Sequence, residues 1–459
     1  MREQDPDTRV SNFAEVPLGY TDEEARAEAR RCLGCRTAPC VAACPVAVAI
    51  PEFVGQIAGG AFPAAARTIR RANALPAICG RVCPQEDQCE KACLLGKRGQ
   101  PLAIGHLERF AADRERREGR VEPPARKPEC GKRIAVVGSG PAGLTVASEL
   151  AGAGCAVVVL EALHALGGVL TYGIPEFRLP KAIVKDEIAG LEALGMRFVR
   201  NFVVGRTETI DHLLKEDGFD AVFIGTGAGL PSFLGIPGEN AVGVYSANEY
   251  LTRSNLMKAY RPDAATPILR SPRVVTVGGG NVAMDAARTA RRLDTVQSIV
   301  VYRRGEAEMP ARIEEVRHAK EEGVLLRTLC HPAAILEDEE GFVQGIRCLR
   351  VELGDRDASG RRRPVPIPDS AFTIECEIVI VAIGNRPNPL IPDTTPDILV
   401  SGRGTIVADP ADGRTSRPRV YAGGDIVTGS ATVIQAMGAG RAAARSILED
   451  LGQPVQPRM

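Results

Sequence analysis

Cysteine is the residue whose spacing in this sequence most clearly suggests chemistry. The chain of 459 residues contains 13 cysteines, and eight of them lie in one short stretch. The eight are Cys32, Cys35, Cys40, Cys44, Cys79, Cys83, Cys89 and Cys93. Clustered cysteines in a reducing compartment indicate metal binding more often than disulfides, because dense thiolates are ligands for soft metals.

Iron–sulfur clusters are the favoured interpretation of these cysteines. A proline follows Cys44 and Cys83, as in the cluster-binding run of bacterial ferredoxins, although the middle gap is longer here. A pair of structural zinc sites with four cysteines each is the alternative. A redox dithiol at Cys32 and Cys35 is a third reading. It is disfavoured because the nucleotide-binding segments, where flavin disulfide reductases usually carry such a pair, contain none.

A glycine-rich turn between two short apolar strands follows the cysteines. The predicted strand 134–137 enters Gly138, Gly140 and Gly143, and after a helix a second strand ends in Glu161. In a dinucleotide-binding unit these glycines allow a tight turn, the approach of a pyrophosphate to the helix N-terminus, and close packing of helix on strand. The terminal acid accepts hydrogen bonds from ribose hydroxyls. The segment therefore predicts a dinucleotide site.

The same pattern recurs further along the chain. The strand 273–277 enters Gly278 and Gly280, and the next strand ends in Arg303 and Arg304 instead of an acid. Arginine at this position can pair with a 2′-phosphate, whereas an acid binds a free ribose. We expect the first unit to bind a dinucleotide without that phosphate, namely a flavin dinucleotide, and the second to prefer NADPH. A solvated strand end is the plainer reading of the two arginines.

Composition narrows the possible partners. Lys+Arg and Asp+Glu both number 57, so a broad nucleic-acid surface is not expected. Glycine, proline or charge interrupts every apolar run before membrane-spanning length, and the N-terminus lacks an apolar signal core. We expect a cytoplasmic protein with no nucleic-acid or membrane partner.

The order of these segments predicts an α/β protein with two Rossmann-like dinucleotide-binding domains, one inserted in the other, preceded by an α-helical iron–sulfur domain. The expected boundaries are 1–127 for the iron–sulfur domain, 128–251 with 387–459 for the FAD domain, and 252–386 for the NADPH domain. A charged linker is expected at 118–131. Residues 1–20 are expected to form an extended lead-in before a helix capped by Thr21.

Longer stretches of the sequence resemble the glutamate synthase small-subunit family over nearly the whole chain. The matching stretches are Arg31–Cys35, Leu75–Glu90, Ile104–Phe110, Tyr172–Lys181, Tyr302–Arg304 and Met309–Arg312. The sequence is most similar to the branch with the homotetrameric NADPH glutamate synthase and the large subunit of the NADH-dependent reduced ferredoxin:NADP oxidoreductase. The flavin half of dihydropyrimidine dehydrogenase is a more distant match.

The resemblance implies two [4Fe-4S] clusters with crossed ligation. One cluster would be bound by Cys32, Cys35, Cys40 and Cys93. The other would be bound by Cys44, Cys83 and Cys89, with Glu108 as the fourth ligand and Cys79 as a spare thiol. Spacing alone makes Cys79 the obvious ligand and Glu108 an ordinary helix-surface acid, so both are candidates.

The resemblance also implies the residues of the two nucleotide sites. The FAD site would comprise Gly138, Gly140, Pro141, Ala142, Gly143, Glu161, Gly168, Arg178, Gly424 and Asp425. The NADPH site would comprise Gly278, Gly280, Asn281, Val282, Arg303 and Arg304, with Gly384 where the chain crosses back. No catalytic acid or base is expected, since hydride transfer depends mainly on stacking and distance.

The expected function is an NADPH-dependent flavin and iron–sulfur oxidoreductase that acts as the small subunit of a glutamate synthase. The chain shows no glutamine-hydrolysing domain and no FMN barrel, so an FMN-containing large subunit would be the electron-accepting partner. The alternative is the large subunit of a ferredoxin-coupled NADH/NADPH transhydrogenase, bifurcating enzymes included, with a flavin and [2Fe-2S] partner. A remote alternative is a zinc-stabilised nucleotide-binding scaffold without redox function.

Overall fold

The computed structural model describes residues 1–119, 126–357 and 360–454. No helix in these ranges has both the length and the apolar composition needed to cross a membrane. Part of the predicted linker, residues 120–125, lies outside the described residues.

The N-terminal unit is helical, as predicted. Its elements are β1 (Arg2–Glu3), α1 (Pro6–Arg9), β2 (Pro17–Gly19), α2 (Asp22–Ala29), α3 (Pro39–Ala42), α4 (Ile50–Ala58), α5 (Phe62–Arg70), α6 (Pro76–Val82) and α7 (Ile104–Arg117), with 3₁₀ turns at Gln85–Asp87 and Leu94–Lys97. Thr21 and Glu24 form the predicted capping box at the start of α2. Proline in the first turn starts α4, α5 and α6, where its missing N–H has no helical partner to lose.

The first nucleotide unit is built on a parallel sheet. Its elements are β3 (Arg133–Val137), α8 (Pro141–Gly152), β4 (Ala156–Leu160), α9 (Val169–Tyr172), α10 (Lys181–Glu192), β5 (Arg197–Val199), α11 (Ile210–Lys215), β6 (Ala221–Ile224) and β7 (Leu230–Pro231). The strand order is β18-β6-β3-β4-β5, in which β18 is formed by Val420–Ala422, and every pair is parallel. The outer strand of this order, β18, comes from the C-terminal part of the chain.

The second nucleotide unit repeats this arrangement. Its elements are β8 (Val244–Ser246), α12 (Ala247–Asn255), β9 (Arg273–Val277), α13 (Asn281–Arg291), β10 (Gln297–Tyr302), a 3₁₀ turn at Glu306–Glu308, α14 (Ile313–Glu321), β11 (Leu325–Thr328), β12 (Cys330–Glu337), β13 (Val343–Arg356), β14 (Arg362–Pro366), β15 (Phe372–Glu375) and β16 (Ile378–Val381). The parallel sheet has the order β11-β10-β9-β16-β8, and β12 to β15 form an antiparallel sheet beside it. The buried apolar runs of β9 and β16 are typical of central parallel strands.

The second unit is inserted in the first. The chain leaves through β7 and returns through β17 (Asn385–Arg386), and these two strands pair with each other. It then forms α15 (Leu390–Thr394), β18 (Val420–Ala422), α16 (Asp425–Thr428) and α17 (Val433–Asp450). Because β8 pairs with β16, part of the segment 128–251 lies in the second sheet. The chain therefore passes from the first sheet to the second after β7, before the boundary at 251–252 that the sequence predicts.

The first 20 residues are not the extended lead-in that the sequence predicts. Arg9 is 1% exposed, and its guanidinium lies 2.8 Å from a carboxylate oxygen of Glu322 in the second nucleotide unit. The backbone N–H of Val16 donates to the carbonyl of Phe177 in the first nucleotide unit, at 2.9 Å. Burial opposes ionisation of Glu322, yet Arg288 and Arg292 hold its pKa well below the usual range. The segment therefore contacts both nucleotide units, the second through a buried ion pair and the first through a backbone hydrogen bond.

We expect Arg9→Ala to destabilise the protein by about 1.5–3 kcal/mol, because it removes one of the three cationic partners of the buried Glu322 together with the charged hydrogen bonds of the guanidinium. Lys215→Ala is the matched control, since it breaks an ion pair whose side chains are 68% and 50% exposed. It should cost about 0.5 kcal/mol or less. Urea unfolding followed by circular dichroism measures both. Equal midpoints for the two variants would contradict a structural role for the N-terminal segment.

Candidate functional site

The first glycine turn encloses an open space at the N-terminus of α8. A Cβ on Gly138, whose φ is +100°, would lie 2.6 Å from the carbonyl oxygen of Gly225. A Cβ on Gly143 would lie 2.0 Å from the carbonyl oxygen of Gly138, so helix and strand pack closely here. Gly140 differs, because no protein atom lies within 4 Å of its Cβ position. Pro141 and Ala142 form the first turn of α8, whose unpaired N–H groups suit a pyrophosphate.

Two further glycines adjoin this space. A Cβ on Gly168 would lie 3.1 Å from the Cα of Gly140, and one on Gly424 would lie 3.1 Å from the Cβ of Ala142. We call the five residues Gly138, Gly140, Gly143, Gly168 and Gly424 the glycine cradle. Asp425 follows the last of them, and burial raises its pKa to about 6.

Glu161 lies at the end of β4 and holds the turn in place. One carboxylate oxygen accepts hydrogen bonds from the backbone N–H of Ser139 at 2.9 Å and from its hydroxyl at 2.5 Å. The other oxygen accepts from the N–H of Leu163 at 2.9 Å. Carboxylate oxygens accept more than one hydrogen bond each, so this arrangement leaves capacity for ribose hydroxyls.

Arg178 connects the two nucleotide units. Its guanidinium lies 2.7 Å from Asp285 and 2.9 Å from Glu315, both in the second unit. Arg288 and Arg292 lie over the ring of the neighbouring Phe177, at 4.7 and 3.9 Å from its centroid. The structure thus gives Arg178 partners within the protein, and its expected role at FAD stays a prediction.

The second glycine turn has the same open geometry. A Cβ on Gly278 would lie 2.3 Å from the carbonyl oxygen of Ala382, whereas the nearest atom to a Cβ on Gly280 is 4.0 Å away. Asn281 starts α13, and its side-chain oxygen accepts from the N–H of Arg312 at 2.9 Å. Val282 in the same turn is exposed, and a Cβ on Gly384 would meet nothing within 4 Å. Gly280 and Gly384 therefore leave room for a ligand, and the role of this turn at NADPH stays a prediction.

Arg303 and Arg304 have different surroundings. Arg303 is exposed and makes no ion pair with any residue that the structure describes. Arg304 is buried; it donates to Asp357 at 2.7 Å and to the carbonyl of Arg362 at 2.8 Å. Arg304 thereby fastens the β13–β14 hairpin to the end of β10. Only Arg303 keeps its guanidinium available for a phosphate.

We call the four cysteines that the family resemblance assigns to one cluster the outer thiol group. They are Cys32, Cys35, Cys40 and Cys93, and all four are partly exposed. Burial raises the pKa of Cys40, and the charges of Cys32 and Cys93 raise it further. The gap of 52 residues between Cys40 and Cys93 in the sequence is thus closed by the fold.

The remaining cysteines surround Glu108 and form the inner thiol group, which comprises Cys44, Cys79, Cys83 and Cys89. Burial raises the pKa of Cys44 to about 11, with contributions from Glu108 and Cys79. A hydrogen bond with Cys79 and burial raise the pKa of Cys83, burial raises that of Cys89, and the charge of Glu108 raises both further. Burial raises the pKa of Glu108 itself to about 7, against the hydrogen bond at 2.7 Å that Asn73 donates to it. The carboxylate is therefore a member of this group, not a surface acid.

Close packing of α6 on α7 places Glu108 there. A Cβ on Gly80 would lie 2.5 Å from the backbone nitrogen of Arg109, so only glycine permits this approach. Cys79 is fully buried, with its sulfur 3.6 Å from the side-chain oxygen of Asn73 and 3.5 Å from the sulfur of Met437. Both candidates for the fourth ligand thus lie beside Asn73.

The ligand chemistry of the two thiol groups suits a soft metal centre. Eight thiols and the carboxylate of Glu108 are the donors that the two groups offer. Thiolates at this density are the usual ligands of iron–sulfur clusters.

Helix α17 contacts both the glycine cradle and the inner thiol group. The Cβ of Ala436 would lie 3.4 Å from a Cβ on Gly424. The sulfur of the next residue, Met437, lies 3.5 Å from that of Cys79. A Cβ on Gly438 would lie 2.9 Å from the carbonyl oxygen of Pro45, which follows Cys44. The first two turns of one helix thus separate the two sites.

Two residues of the site were not identified from the sequence. Tyr172 lies near Glu161 and Asp425; burial and these two charges raise its pKa to about 12. Asn73 orients both Glu108 and the start of α6, where it accepts from the N–H of Leu75 at 2.9 Å. The family resemblance includes the stretch that contains Tyr172 and could have identified this residue. No feature of the sequence singles out Asn73.

Comparisons with known proteins give one family match for the N-terminal helical unit and another for the two nucleotide units. Residues 9–120 match the family described as dihydropyrimidine dehydrogenase domain II, 4Fe-4S cluster, and residues 124–440 match the pyridine nucleotide-disulphide oxidoreductase family. The chain is 36% identical over 459 residues to the glutamate synthase [NADPH] small chain of Halomonas elongata, an alignment that covers 98% of this chain and 96% of the relative.

Two other similarities are more limited. The chain is 41% identical over 440 residues to the NADP(+)-dependent formate dehydrogenase subunit beta of Moorella thermoacetica, covering 91% of this chain but 60% of the relative. The solved structure of Mycobacterium tuberculosis FprA in complex with NADPH has a TM-score of 0.59 and 24% identity, and covers 71% of this chain and 85% of that chain. This likeness shows the fold alone.

We expect Gly140→Ala to leave the fold intact and to weaken flavin dinucleotide binding by about tenfold or more, because the added methyl would occupy the open space. Gly143→Ala is the contrasting variant, since its methyl would meet backbone and should cost about 1–3 kcal/mol of stability. Flavin absorbance of the purified proteins and thermal unfolding of the flavin-free forms measure the two effects. Full flavin retention by Gly140→Ala would contradict the cradle.

Proposed function

This chain belongs to the glutamate synthase small-chain family within the pyridine nucleotide-disulphide oxidoreductases, and on that premise we propose that it oxidises NADPH and passes the electrons through FAD to iron–sulfur clusters. The observation that carries the proposal is the position of α17, which contacts the glycine cradle through Ala436 and the inner thiol group through Met437. A flavin site and a thiol site this close can exchange electrons directly.

In this proposal the first nucleotide unit binds FAD and the second binds NADPH. The open turns at Gly140 and Gly280 each present a helix N-terminus to a pyrophosphate. Glu161 would accept hydrogen bonds from the ribose of FAD, and Arg303 would pair with the 2′-phosphate of NADPH. A bound flavin would supply the chemistry that divides the two-electron oxidation of NADPH into one-electron transfers. The protein binds and orients both nucleotides and needs no catalytic acid or base.

We assign two [4Fe-4S] clusters to the thiol groups. Cys32, Cys35, Cys40 and Cys93 would bind one, and Cys44, Cys83, Cys89 and Glu108 the other, with Cys79 as a buried spare thiol. The support is that the charge of Glu108 raises the pKa of all three of its proposed co-ligands, whereas Cys79 does so for two of them, Cys44 and Cys83. The match of residues 9–120 to a 4Fe-4S cluster family supports iron–sulfur clusters over zinc.

The electron-accepting partner would be a separate subunit. The similarity to glutamate synthase small chains supports an FMN-containing glutamate synthase large subunit in this role. The 41% identity to a formate dehydrogenase beta subunit favours a second candidate, in which the same electron path serves a different catalytic subunit. Copurification from native cells, followed by a test for glutamate formation from glutamine and 2-oxoglutarate, distinguishes the two.

We expect anaerobic NADPH to bleach both a flavin band and a broad iron–sulfur shoulder between 350 and 700 nm, and NADH to do so poorly. The physical reason is that Arg303 can pair only with the phosphorylated ribose. Stepwise titration of the purified chain measures it. Flavin bleaching without any broad shoulder would contradict the proposed clusters.

Arg303→Ala and Arg304→Ala separate the roles of the two arginines in the same titration. The first should raise the NADPH concentration needed for bleaching by about tenfold or more and leave NADH unchanged. The second should lower thermal stability, because it removes the hydrogen bonds from Arg304 to Asp357 and to the carbonyl of Arg362. Equal losses for NADPH and NADH in Arg303→Ala would argue against the 2′-phosphate assignment.

We expect Glu108→Ala to lose about half of the bound iron, because one of two [4Fe-4S] clusters would lack a ligand. Cys79→Ala is the matched control, since it removes the neighbouring candidate ligand, and it should keep its iron. Iron analysis and electron paramagnetic resonance of the reduced proteins measure the result. The opposite outcome, with iron lost only in Cys79→Ala, would assign the ligand to Cys79.

A further inference from the structure

Two cysteines outside the thiol groups are in contact with each other. The cysteines outside these groups are Cys130, Cys155, Cys330, Cys348 and Cys376. The sulfur of Cys130 lies 3.4 Å from that of Cys155, although the two residues are 25 positions apart in the chain. A disulfide has an S–S bond of about 2.05 Å, so the two sulfur atoms need to approach by only about 1.4 Å to form one.

Backbone contacts hold the two cysteines beside each other. The N–H of Cys130 donates to the carbonyl of Gly154 at 3.1 Å, and the N–H of Ala156 donates to the carbonyl of Lys132 at 2.8 Å. A Cβ on Gly154, whose φ is +94°, would lie 2.1 Å from the carbonyl oxygen of Pro128, so the two segments pack directly on each other. A disulfide between them therefore requires a rotation of side chains and leaves the backbone in place.

The pair lies at the base of the first nucleotide unit. Cys130 precedes β3, and Cys155 lies between α8 and β4. The chain between the two cysteines consists of β3, the first glycine turn and α8. A bond between the two sulfur atoms would close this segment into a covalent loop, and closing a loop stabilises a fold because it lowers the entropy of the unfolded chain. The crosslink would therefore stabilise the part of the chain that carries the first glycine turn.

The two thiols differ in their access to solvent. Cys130 is partly exposed, whereas Cys155 is 1% exposed. Burial and the hydrogen bond with Cys130 raise the pKa of Cys155 to about 12, against the charge of Lys132. The thiolate is the reactive form of cysteine, so Cys155 is unreactive toward solvent on its own. An oxidant in solution therefore meets Cys130 first.

We propose that Cys130 and Cys155 are a site of reversible oxidation, at which a small-molecule disulfide such as oxidised glutathione forms a crosslink across the base of the first nucleotide unit. The sulfur of Cys130 attacks one sulfur of the small disulfide, which releases one small thiol and leaves a mixed disulfide. The sulfur of Cys155 then attacks that of Cys130 and releases the second small thiol.

This exchange balances in electrons and protons. The two S–H bonds of the protein are replaced by one S–S bond, and their two electrons and two protons leave with the two small thiols. A dithiol reverses the reaction by the same steps. Disulfides in a reducing compartment are usually transient ones of this kind. The oxidation site serves no step of the proposed electron path and does not depend on it.

The test treats the purified chain and its cofactors with oxidised glutathione under anaerobic conditions. Trypsin separates the two cysteines, since Lys132 and Arg133 lie between them. Mass spectrometry without reductant should find the Cys130 peptide joined to the Cys155 peptide, and dithiothreitol should separate them. Oxidation should also raise the midpoint of thermal unfolding by about 4 °C or more.

Cys130→Ser should abolish both effects, because Cys155 then has no partner thiol. Cys330→Ser is the matched control, since its hydroxyl can keep the hydrogen bond that the thiol donates to the carbonyl of Thr328. The control should form the crosslink and gain stability as the unmodified chain does. Absence of the joined peptide from the unmodified chain would overturn the proposal. So would a reaction that stops at a glutathione adduct on Cys130, or an equal rise in midpoint for Cys130→Ser.

Flavin-free protein keeps this test separate from that of the proposed function. The two cysteines lie at the opposite end of α8 from the glycine turn, so the crosslink should form with or without flavin. A crosslink in a chain that NADPH does not bleach would refute the electron path and support the oxidation site. Normal bleaching without a crosslink would refute the oxidation site alone.

Discussion

The close approach of α17 to the rest of the protein is the constraint on which the arrangement of sites depends. A Cβ on Gly440 would lie 2.6 Å from the carbonyl oxygen of Ala142 in α8, and one on Gly438 would lie 2.9 Å from that of Pro45. Real Cβ atoms are not found at such distances, so larger residues would push the helix away. Small residues on one helix therefore set the distance between a nucleotide site and a thiol site.

Buried ion pairs fix the orientation of the two nucleotide units relative to each other. Arg178 from the first unit pairs with Asp285 and Glu315 of the second, and Arg9 brings the N-terminal segment to Glu322. A buried pair is costly when one partner is withdrawn, because the other remains desolvated. Separation of the units would withdraw several partners at once. The network therefore favours one relative orientation of the two nucleotide openings.

Local rules in the sequence predicted the helix capped by Thr21, the strands that flank the glycine turns, and both turns. The capping box of α2 and the acid at the end of β4 depend on neighbours within a few residues, so their positions follow from the sequence. The partners of Arg178 and Arg304 lie 107 and 53 residues away along the chain. The assignment of β8 to the second sheet likewise depends on β16. Such pairings arise only from packing, and no periodicity encodes them.

Long-range packing, and not local sequence, also determines which residues form the inner thiol group. Spacing suggests Cys79 because it precedes Cys83 by four residues, one turn of a helix. Packing instead brings a carboxylate from α7 to the group, since Gly80 lets α7 approach. Asn73 then donates to Glu108 and lies beside the sulfur of Cys79, so one amide positions both groups. A hard oxygen ligand among thiolates would differ from sulfur in charge and basicity, and such differences tune the reduction potential of a cluster. The cluster beside the flavin would then differ in potential from the outer one, which gives the two thiol groups distinct places in a single electron path.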